Sequence, residues 1–356
     1  MNVAIIGAGI SGLYLATRMQ ELGHDVTIYE GRDRIGGRIE TIDFNLAGQS
    51  YAFDLGPTWF WPDSEPLMVD LIHRLDLPIL EQYATGALRL ERADGIESHL
   101  VSNQPTALRL RDGIRPVATA LAARLTPGTI RLKSPISQID VMNRIVVSSG
   151  RKSQPFDEIV LALPPRLAAT LSFVPSLPEA VLGELEALPT WMAQQAKCLI
   201  LYERPFWRDS GWSGQAISWT GMVQEIHDAS PQDGPGALFG FFRTPARERQ
   251  LLTEAEIKET VLAQLVRLFG EQARQSIGWA YKDWSTDSWT ATRADATPLV
   301  DFPAYHAINL GVEYAAISLI GTETDPSHGG HLEGALRSVE RYLKKRGSKN
   351  DRDATL

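Results

Sequence analysis

Asn2-Val3-Ala4-Ile5-Ile6-Gly7-Ala8-Gly9-Ile10-Ser11-Gly12, continuing through Leu13 to Leu22, is the stretch whose reading decides the fold. A short β-branched run enters glycines in G-x-G-x-x-G spacing and leaves as good helix formers, which is the order strand, turn, helix. Gly23 closes that helix, Val26 to Tyr29 reads as a second strand, and Glu30 stands at its end. The three glycines act differently, since Gly7 permits the tight turn, Gly9 lets backbone approach a pyrophosphate, and Gly12 lets helix pack on strand. The helix start, where Ser11 is an expected contact, directs unpaired N–H groups and a partial positive charge at the phosphates. Glu30 accepts hydrogen bonds from ribose hydroxyls and repels a 2′-phosphate. The expected ligand is a dinucleotide; a plain turn in a parallel sheet is the alternative.

Composition narrows the classes of function. With 356 residues, 44% apolar and 22% charged, the chain has enough non-polar side chain for one large or two medium cored domains. A single cysteine, Cys198, makes no internal disulfide, and seven scattered histidines lack structural-zinc spacing, so no metal is expected. The acidic balance, 43 Asp and Glu against 35 Lys and Arg, opposes a phosphate-tracking surface and argues against nucleic acid as a partner. No apolar run approaches the roughly 20 residues of a membrane span. The periodic pattern begins at residue 2, leaving no room for a cleaved leader, and a cytoplasmic location without membrane contact is expected.

Downstream of Glu30, Arg34-Ile35-Gly36-Gly37-Arg38-Ile39-Glu40-Thr41 offers a second phosphate loop, in which Arg38 brings planar bidentate donors and the paired glycines remove Cβ atoms from its approach. Alone, the segment also reads as an exposed turn. In its surroundings it resembles the flavin amine oxidase family, whose members carry G-G-R-x-x-T after the second strand. The resemblance implies FAD rather than NAD. Near the other end, Leu319-Ile320-Gly321-Thr322-Glu323-Thr324 and then Gly329-Gly330-His331-Leu332-Glu333-Gly334-Ala335 are similar to the family's second flavin segment, which makes Gly321, Glu323 and Leu332 expected cofactor contacts. A helix is expected from about His331 to Lys345; with the Leu332 N–H at the pyrimidine end of the flavin, its dipole would stabilise the charge that develops there on reduction. A capped helix with a glycine-rich entry is the plainer reading. Lys344, Lys345 and Arg346 read as its solvated cationic end, followed by a polar tail, 347–356.

The resemblance implies a two-domain α/β fold: an FAD-binding Rossmann-like unit of the glutathione-reductase type, and a substrate domain of sheet plus helices. The FAD unit would be assembled from 1–58, 105–172 and 300–346, the substrate unit from 59–104 and 173–299, which hold all nine tryptophans. Pro116 to Leu125 reads as a helix, Ile136 to Ile139 and Ile145 to Val147 as strands about a Met142-Asn143 turn, and Ile159 to Leu163 as a buried strand. Ile136 falls where family members lay an aliphatic residue against adenine, or it is a core isoleucine. Thr253 with Glu256 makes a capping box for a helix through Phe269, closed by Gly270.

Lys197 is a lone cation in the strand-like run Ala196 to Tyr202, and burial disfavours an ammonium unless it has polar partners. A snorkelling lysine on an edge strand is the competing reading. The segment resembles the family's lysine strand, K-C-x-x-x-Y with P-F-W beyond, whose lysine holds a water at flavin N5. Asp283-Trp284 resembles the aromatic segment over flavin and substrate, so Trp284 stacks near the ring or fills the core. Counting onward, Arg293 occupies the position of the cysteine that binds FAD covalently in mitochondrial monoamine oxidases, which implies non-covalent FAD. The two substrate-flanking tyrosines of those enzymes correspond to Ala294 and His331; the histidine either hydrogen-bonds a polar substrate or caps a helix.

In Asp54-Leu55-Gly56-Pro57-Thr58-Trp59, Gly56 is an expected cofactor contact, and Trp59 stands where L-amino-acid oxidases place a carboxylate-binding arginine. The function implied is amine oxidation, with hydride passing from the carbon next to nitrogen to flavin N5 and oxygen as acceptor. An FAD-dependent dehydrogenase or desaturase of a non-amine substrate is the alternative, and a non-catalytic flavin-binding interaction protein a third.

Overall fold

Strand β1 (Asn2–Ile6) runs through the middle of a five-stranded parallel sheet, and Val3, Ala4 and Ile5 are fully buried on its two faces. The computed structural model describes residues 1–100, 105–299 and 301–353, with side chains described through residue 347. Helix α1 (Ile10–Glu21) carries the chain back, and β2 (Asp25–Tyr29) pairs with β1 in parallel, Val3 beside Val26 and Ile5 beside Ile28. On the other side of β1 lies Glu158–Leu161 and then Ile317–Leu319, while Ile130–Arg131 flanks β2. The sheet therefore builds outward from β1 in both directions. That arrangement opens a crevice beyond the carboxyl ends of the strands, where open α/β sheets bind ligands.

A seven-stranded sheet forms the second unit, in the order Gly278–Asp283, Ala196–Tyr202, Gly236–Phe242, Val223–Asp228, Trp212–Ser218, Ala87–Arg92 and Gly95–Leu100. Alternation along Ala196–Tyr202 divides its side chains between two cores. Cys198, Ile200 and Tyr202 pack with Ile257, Val261 and Leu265 of the helix Glu254–Phe269. Leu199 and Leu201, on the face shared with Lys197, pack with Phe53 and Leu55 at the end of the hairpin Thr41–Leu46 and Gln49–Asp54. The helix starts in the expected capping box, Thr253 with Glu256, and ends at Gly270 with φ of 86°. Such a cap is worth about 1 kcal/mol.

Several elements differ from their expected bounds. The helix expected at Pro116 to Leu125 spans Arg115–Ala123, and the strand expected to Leu163 ends at Leu161 before Pro164 and Pro165. The last helix runs Leu332–Asp353, beyond Lys345 and into the expected tail, of which 354–356 lie outside the described residues. Arg346 is not a solvated end. It is 8% exposed, pairs with Glu158 at 3.4 Å, and approaches His24 at 3.0 Å. Lys197 is no edge residue either, since its strand is paired on both sides, with Lys197 opposite Phe241 and Lys282.

Candidate active site

The glycine loop leaves β1 as its spacing requires. Gly7 has φ of 110°, its N–H donates to the Tyr29 carbonyl at 2.8 Å, and an added Cβ would lie 2.5 Å from the Ala162 carbonyl oxygen. An added Cβ at Gly12 would come within 2.0 Å of the Gly7 carbonyl, so this glycine sets helix-to-strand packing. Gly9 is different: no protein atom lies within 4 Å of its ideal Cβ, and it faces the cavity as the N-cap of α1, with no side chain capping the helix. An uncapped helix N-terminus of this kind suits an anion. Glu30 is buried at the end of β2, where Oε2 accepts from Ala8 N–H at 2.7 Å and Oε1 from Arg32 N–H at 2.9 Å. Each oxygen keeps a second lone pair for a hydroxyl donor.

Arg38 lies alongside the crevice, paired in bidentate geometry with the fully buried Glu323 at 2.5 and 3.0 Å, and donating to the Trp191 carbonyl at 3.2 Å. The two segments expected at the flavin thus meet each other, 285 residues apart in sequence. Gly37 has φ of 59° and packs on Gly9, with an ideal Cβ 3.2 Å from the Gly9 Cα. Gly56 lies against Arg38 itself, where a Cβ would be 2.0 Å from the arginine's carbonyl oxygen. Arg34 braces this loop by donating to the carbonyls of Ile35, Gly37 and Ile39 and pairing with Glu40 at 2.6 Å.

From the glycine loop the cavity extends for about 650 Å³ to Lys197. The lysine is 2% exposed; its Nζ donates to Thr58 Oγ1 at 2.7 Å and to the Gly56 carbonyl at 3.1 Å, and lies 4.0 Å from the centre of the Phe239 ring. Burial pulls the ammonium down to about 8, with Asp54 nearby acting in the opposite direction. Trp284 is buried, donates from Nε1 to the Leu55 carbonyl at 3.1 Å, and lines the same cavity. Trp59 also lines it, held by a 2.8 Å bond from Nε1 to Gln82. Ser11, Ile136, Gly321, Leu332 and His331 complete the expected residues on its wall.

Ala294, expected in the substrate pocket, lies on a 3-10 turn, Arg293–Ala296, and is not among the cavity-lining residues. Asp295 explains why: its buried carboxylate accepts from Arg166 at 2.6 Å and from Thr190 N–H at 3.0 Å, which pins the turn elsewhere. Ser288, Trp289 and Thr290 face the cavity instead, held by a bidentate Arg32–Asp287 pair at 2.7 and 2.8 Å. Trp289, which follows Asp283-Trp284 in the segment that resembles the family's aromatic one, lines the cavity, whereas sequence reasoning missed Trp61 and Glu65. The last is a buried acid before Pro66 that bonds His331 at 2.6 Å.

FAD fits this donor set. A glycine with open space before it, a helix N-terminus, a buried acid at the end of β2 and a buried lysine all line one cavity. Lys197 has three N–H groups, of which two are committed to Gly56 and Thr58. Among the described residues no cluster suited to a metal ion occurs, and no described helix is long and apolar enough to cross a membrane.

A family model described as flavin containing amine oxidoreductase matches residues 80–341, and one for an NAD(P)-binding Rossmann-like domain matches residues 5–75. The chain belongs to the flavin-containing amine oxidoreductase family. Like other members it is an FAD-dependent oxidoreductase acting on amines. It is similar to a Mycobacterium tuberculosis protein whose assigned name is putative flavin-containing monoamine oxidase AofH, with 26% identity over 96% of this chain and 95% of that one. An L-amino acid dehydrogenase of Synechocystis is 28% identical over 70% of this chain and 53% of its own length. The solved cyclohexylamine oxidase of Brevibacterium oxydans has the same fold, with a TM-score of 0.83, 19% identity, and coverage of 98% of this chain and 99% of that one.

Proposed function

We propose that this flavin amine oxidoreductase oxidises a small amine lacking an α-carboxylate, and that Lys197 is its central polar residue beside the flavin. The observation that carries this reading is a buried ammonium held by a hydroxyl and a carbonyl in the cavity that also contains the glycine loop. When bound, FAD would supply the two-electron acceptor for a hydride leaving the amine α-carbon, which leaves an imine to be hydrolysed to a carbonyl compound and amine or ammonia, with oxygen as final acceptor giving hydrogen peroxide. Lys197, with one N–H uncommitted, holds a water at the ring edge. Gly9, Ser11 and the start of α1 receive the pyrophosphate, Glu30 the ribose, and Ile136 the adenine. Arg38 keeps its pairing with Glu323 and turns its outer edge to the phosphates.

Aromatic walls select the substrate. Trp59, Trp61 and Trp284 give the cavity apolar faces, which disfavour the ammonium form of an amine and favour the neutral form that loses hydride. Trp59 offers no cation to a carboxylate, whereas a protonated remote amine gains about 0.5–2 kcal/mol over such rings. FAD is held without a covalent bond, because Cys198 faces the core on the other side of its strand and burial pushes its thiol up to about 12. Segments 1–58, 105–172 and 300–346 make the cofactor unit, segments 59–104 and 173–299 the substrate unit, and the protein acts in the cytoplasm.

Anaerobic mixing with amines, amino acids and alcohols tests this reading. Bleaching of the flavin by simple amines, with stoichiometric peroxide on admitting air, supports it; bleaching by amino acids or alcohols alone contradicts it.

A further inference from the structure

His331, just before the last helix, and Glu65, just before the helix Pro66–Arg74, meet at 2.6 Å between Nδ1 and Oε1. The Glu65 side chain is 1% exposed and that of His331 37%, so a buried acid backs a ring that reaches the cavity. The other Glu65 oxygen accepts the Trp61 N–H at 3.1 Å, and the Trp61 ring lies 5.5 Å from the imidazole. Thr322 Oγ1 fixes the backbone by donating to the His331 carbonyl at 2.7 Å. Since a carboxylate only accepts, Nδ1 is the donor, and the neutral ring carries its lone pair on Nε2. Glu333 and His328 lie in the same neighbourhood, and Asp325 accepts the His328 N–H at 2.8 Å. Glu333 is buried, accepts from Met68 N–H at 2.9 Å, and is pushed up by burial, with Glu65 adding to the shift and His328 opposing it.

Simple alkylamines, like a lysine side chain, are protonated near neutral pH, leaving about one molecule in a thousand as the free base. An ammonium has no lone pair to assist loss of hydride from the neighbouring carbon. We propose that the Glu65–His331 pair accepts the proton of the substrate's ammonium inside the cavity. The ammonium N–H bond breaks, a bond from that proton to Nε2 forms, and the electron pair stays on the substrate nitrogen; no electrons change hands. The positive charge moves onto the imidazole, beside the Glu65 carboxylate, and the apolar tryptophan walls favour the neutral amine that remains. This inference rests on the amine-oxidase reading and assigns that site its base.

Two variants test it, His331→Phe and Glu65→Gln, with two readouts. In nitrogen-15 NMR of the protein, with or without flavin, His331 shows the Nδ1-protonated tautomer with a proton strongly shifted by its bond to Glu65. That shift is lost in Glu65→Gln. In anaerobic rapid mixing with an alkylamine, His331→Phe lowers the second-order rate constant of flavin reduction by about 100-fold near pH 7, and the deficit closes to within about 3-fold near pH 10, where about a third of the amine arrives neutral. The His331 side chain is partly exposed, so this variant keeps the test intact if Glu65→Gln destabilises the protein. A deficit that stays constant across pH, no deficit at all, or the Nε2-protonated tautomer overturns the pair's role. A wild-type flavin that no amine reduces overturns the amine-oxidase reading as well, which separates the two failures.

Discussion

Lys197 Nζ donates to Thr58 Oγ1 at 2.7 Å, tying an interior strand of the large sheet to the loop that packs, through Gly56, on the backbone of Arg38. With the bond to the Gly56 carbonyl at 3.1 Å, two hydrogen bonds connect the lysine to the segment that lies against Arg38. Lys197→Met removes the donor and leaves the apolar stem in place. The variant is expected to fold and bind FAD, with flavin reduction or reoxidation slowed at least about tenfold. Rapid-mixing measurements of both half-reactions check this; wild-type rates in both would remove Lys197 from the chemistry.

The same substitution carries a stability signature. Lys197 titrates at about 8 when folded, below the ordinary lysine value of 10.5, so the unfolded chain binds the extra proton between those values. The wild-type protein is therefore penalised fully below pH 8, by about 3 kcal/mol, and recovers as pH rises from 8 toward 10.5. Stranding the Gly56 and Thr58 acceptors in the variant costs about 1–3 kcal/mol and does not titrate. Urea unfolding across this range should show Lys197→Met losing ground relative to wild type as pH rises. A pH-independent difference would contradict the shift.

Gly9 and Gly12 separate cofactor space from packing. Gly9→Ala adds a methyl where no protein atom lies within 4 Å, so the apoprotein should keep its melting temperature and lose FAD affinity. Gly12→Ala puts a methyl 2.0 Å from the Gly7 carbonyl, and overpacking of that kind costs about 1–3 kcal/mol or more. Thermal melts of the apoproteins with flavin titrations distinguish the two. Equal destabilisation would show that Gly9 is also a packing residue.

Glu30→Ala deletes the acceptor of the Ala8 and Arg32 N–H groups and the expected partner of the ribose. FAD retained after dialysis should fall, with affinity weakened roughly 10-fold for a loss of about 1.4 kcal/mol. Unchanged retention would assign Glu30 to loop geometry alone.

The parts of the site built from neighbours in sequence are legible there. Residues 2 to 30 encode a strand, a turn and a helix in consecutive positions, and each glycine acts on atoms a few residues away or on the adjoining strand. Lys197 stands out because a cation interrupts an apolar run. Glu65 does not, because its partner is 266 residues distant and an acid before Pro66 also reads as a helix start. Arg346 misleads for the same reason: basic residues suit a helix C-terminus locally, and only the fold brings Glu158 to it. Ala294 is not on the cavity wall, and the contacts of its neighbour Asp295 with Arg166 and Thr190, distant in sequence, are not legible from the local segment.

Denaturing the holoprotein in acid should leave a colourless pellet and all the flavin in solution. The sole cysteine is buried on the side of its strand away from the cavity, with Sγ 3.8 Å from the Gly240 carbonyl. Flavin in the pellet would reveal a covalent bond through another residue.

The most direct measurement is the visible spectrum of the purified protein, reconstituted with FAD and mixed anaerobically with a series of alkylamines, for wild type and Lys197→Met in parallel. Wild-type flavin is expected to bleach with at least one amine and to regain colour in air with release of peroxide, while the yellow Lys197→Met protein is slowed in one of these two phases. A protein that stays colourless after reconstitution, or two proteins that bleach and recover at the same rates, would contradict a site in which the glycine loop and Lys197 share one flavin.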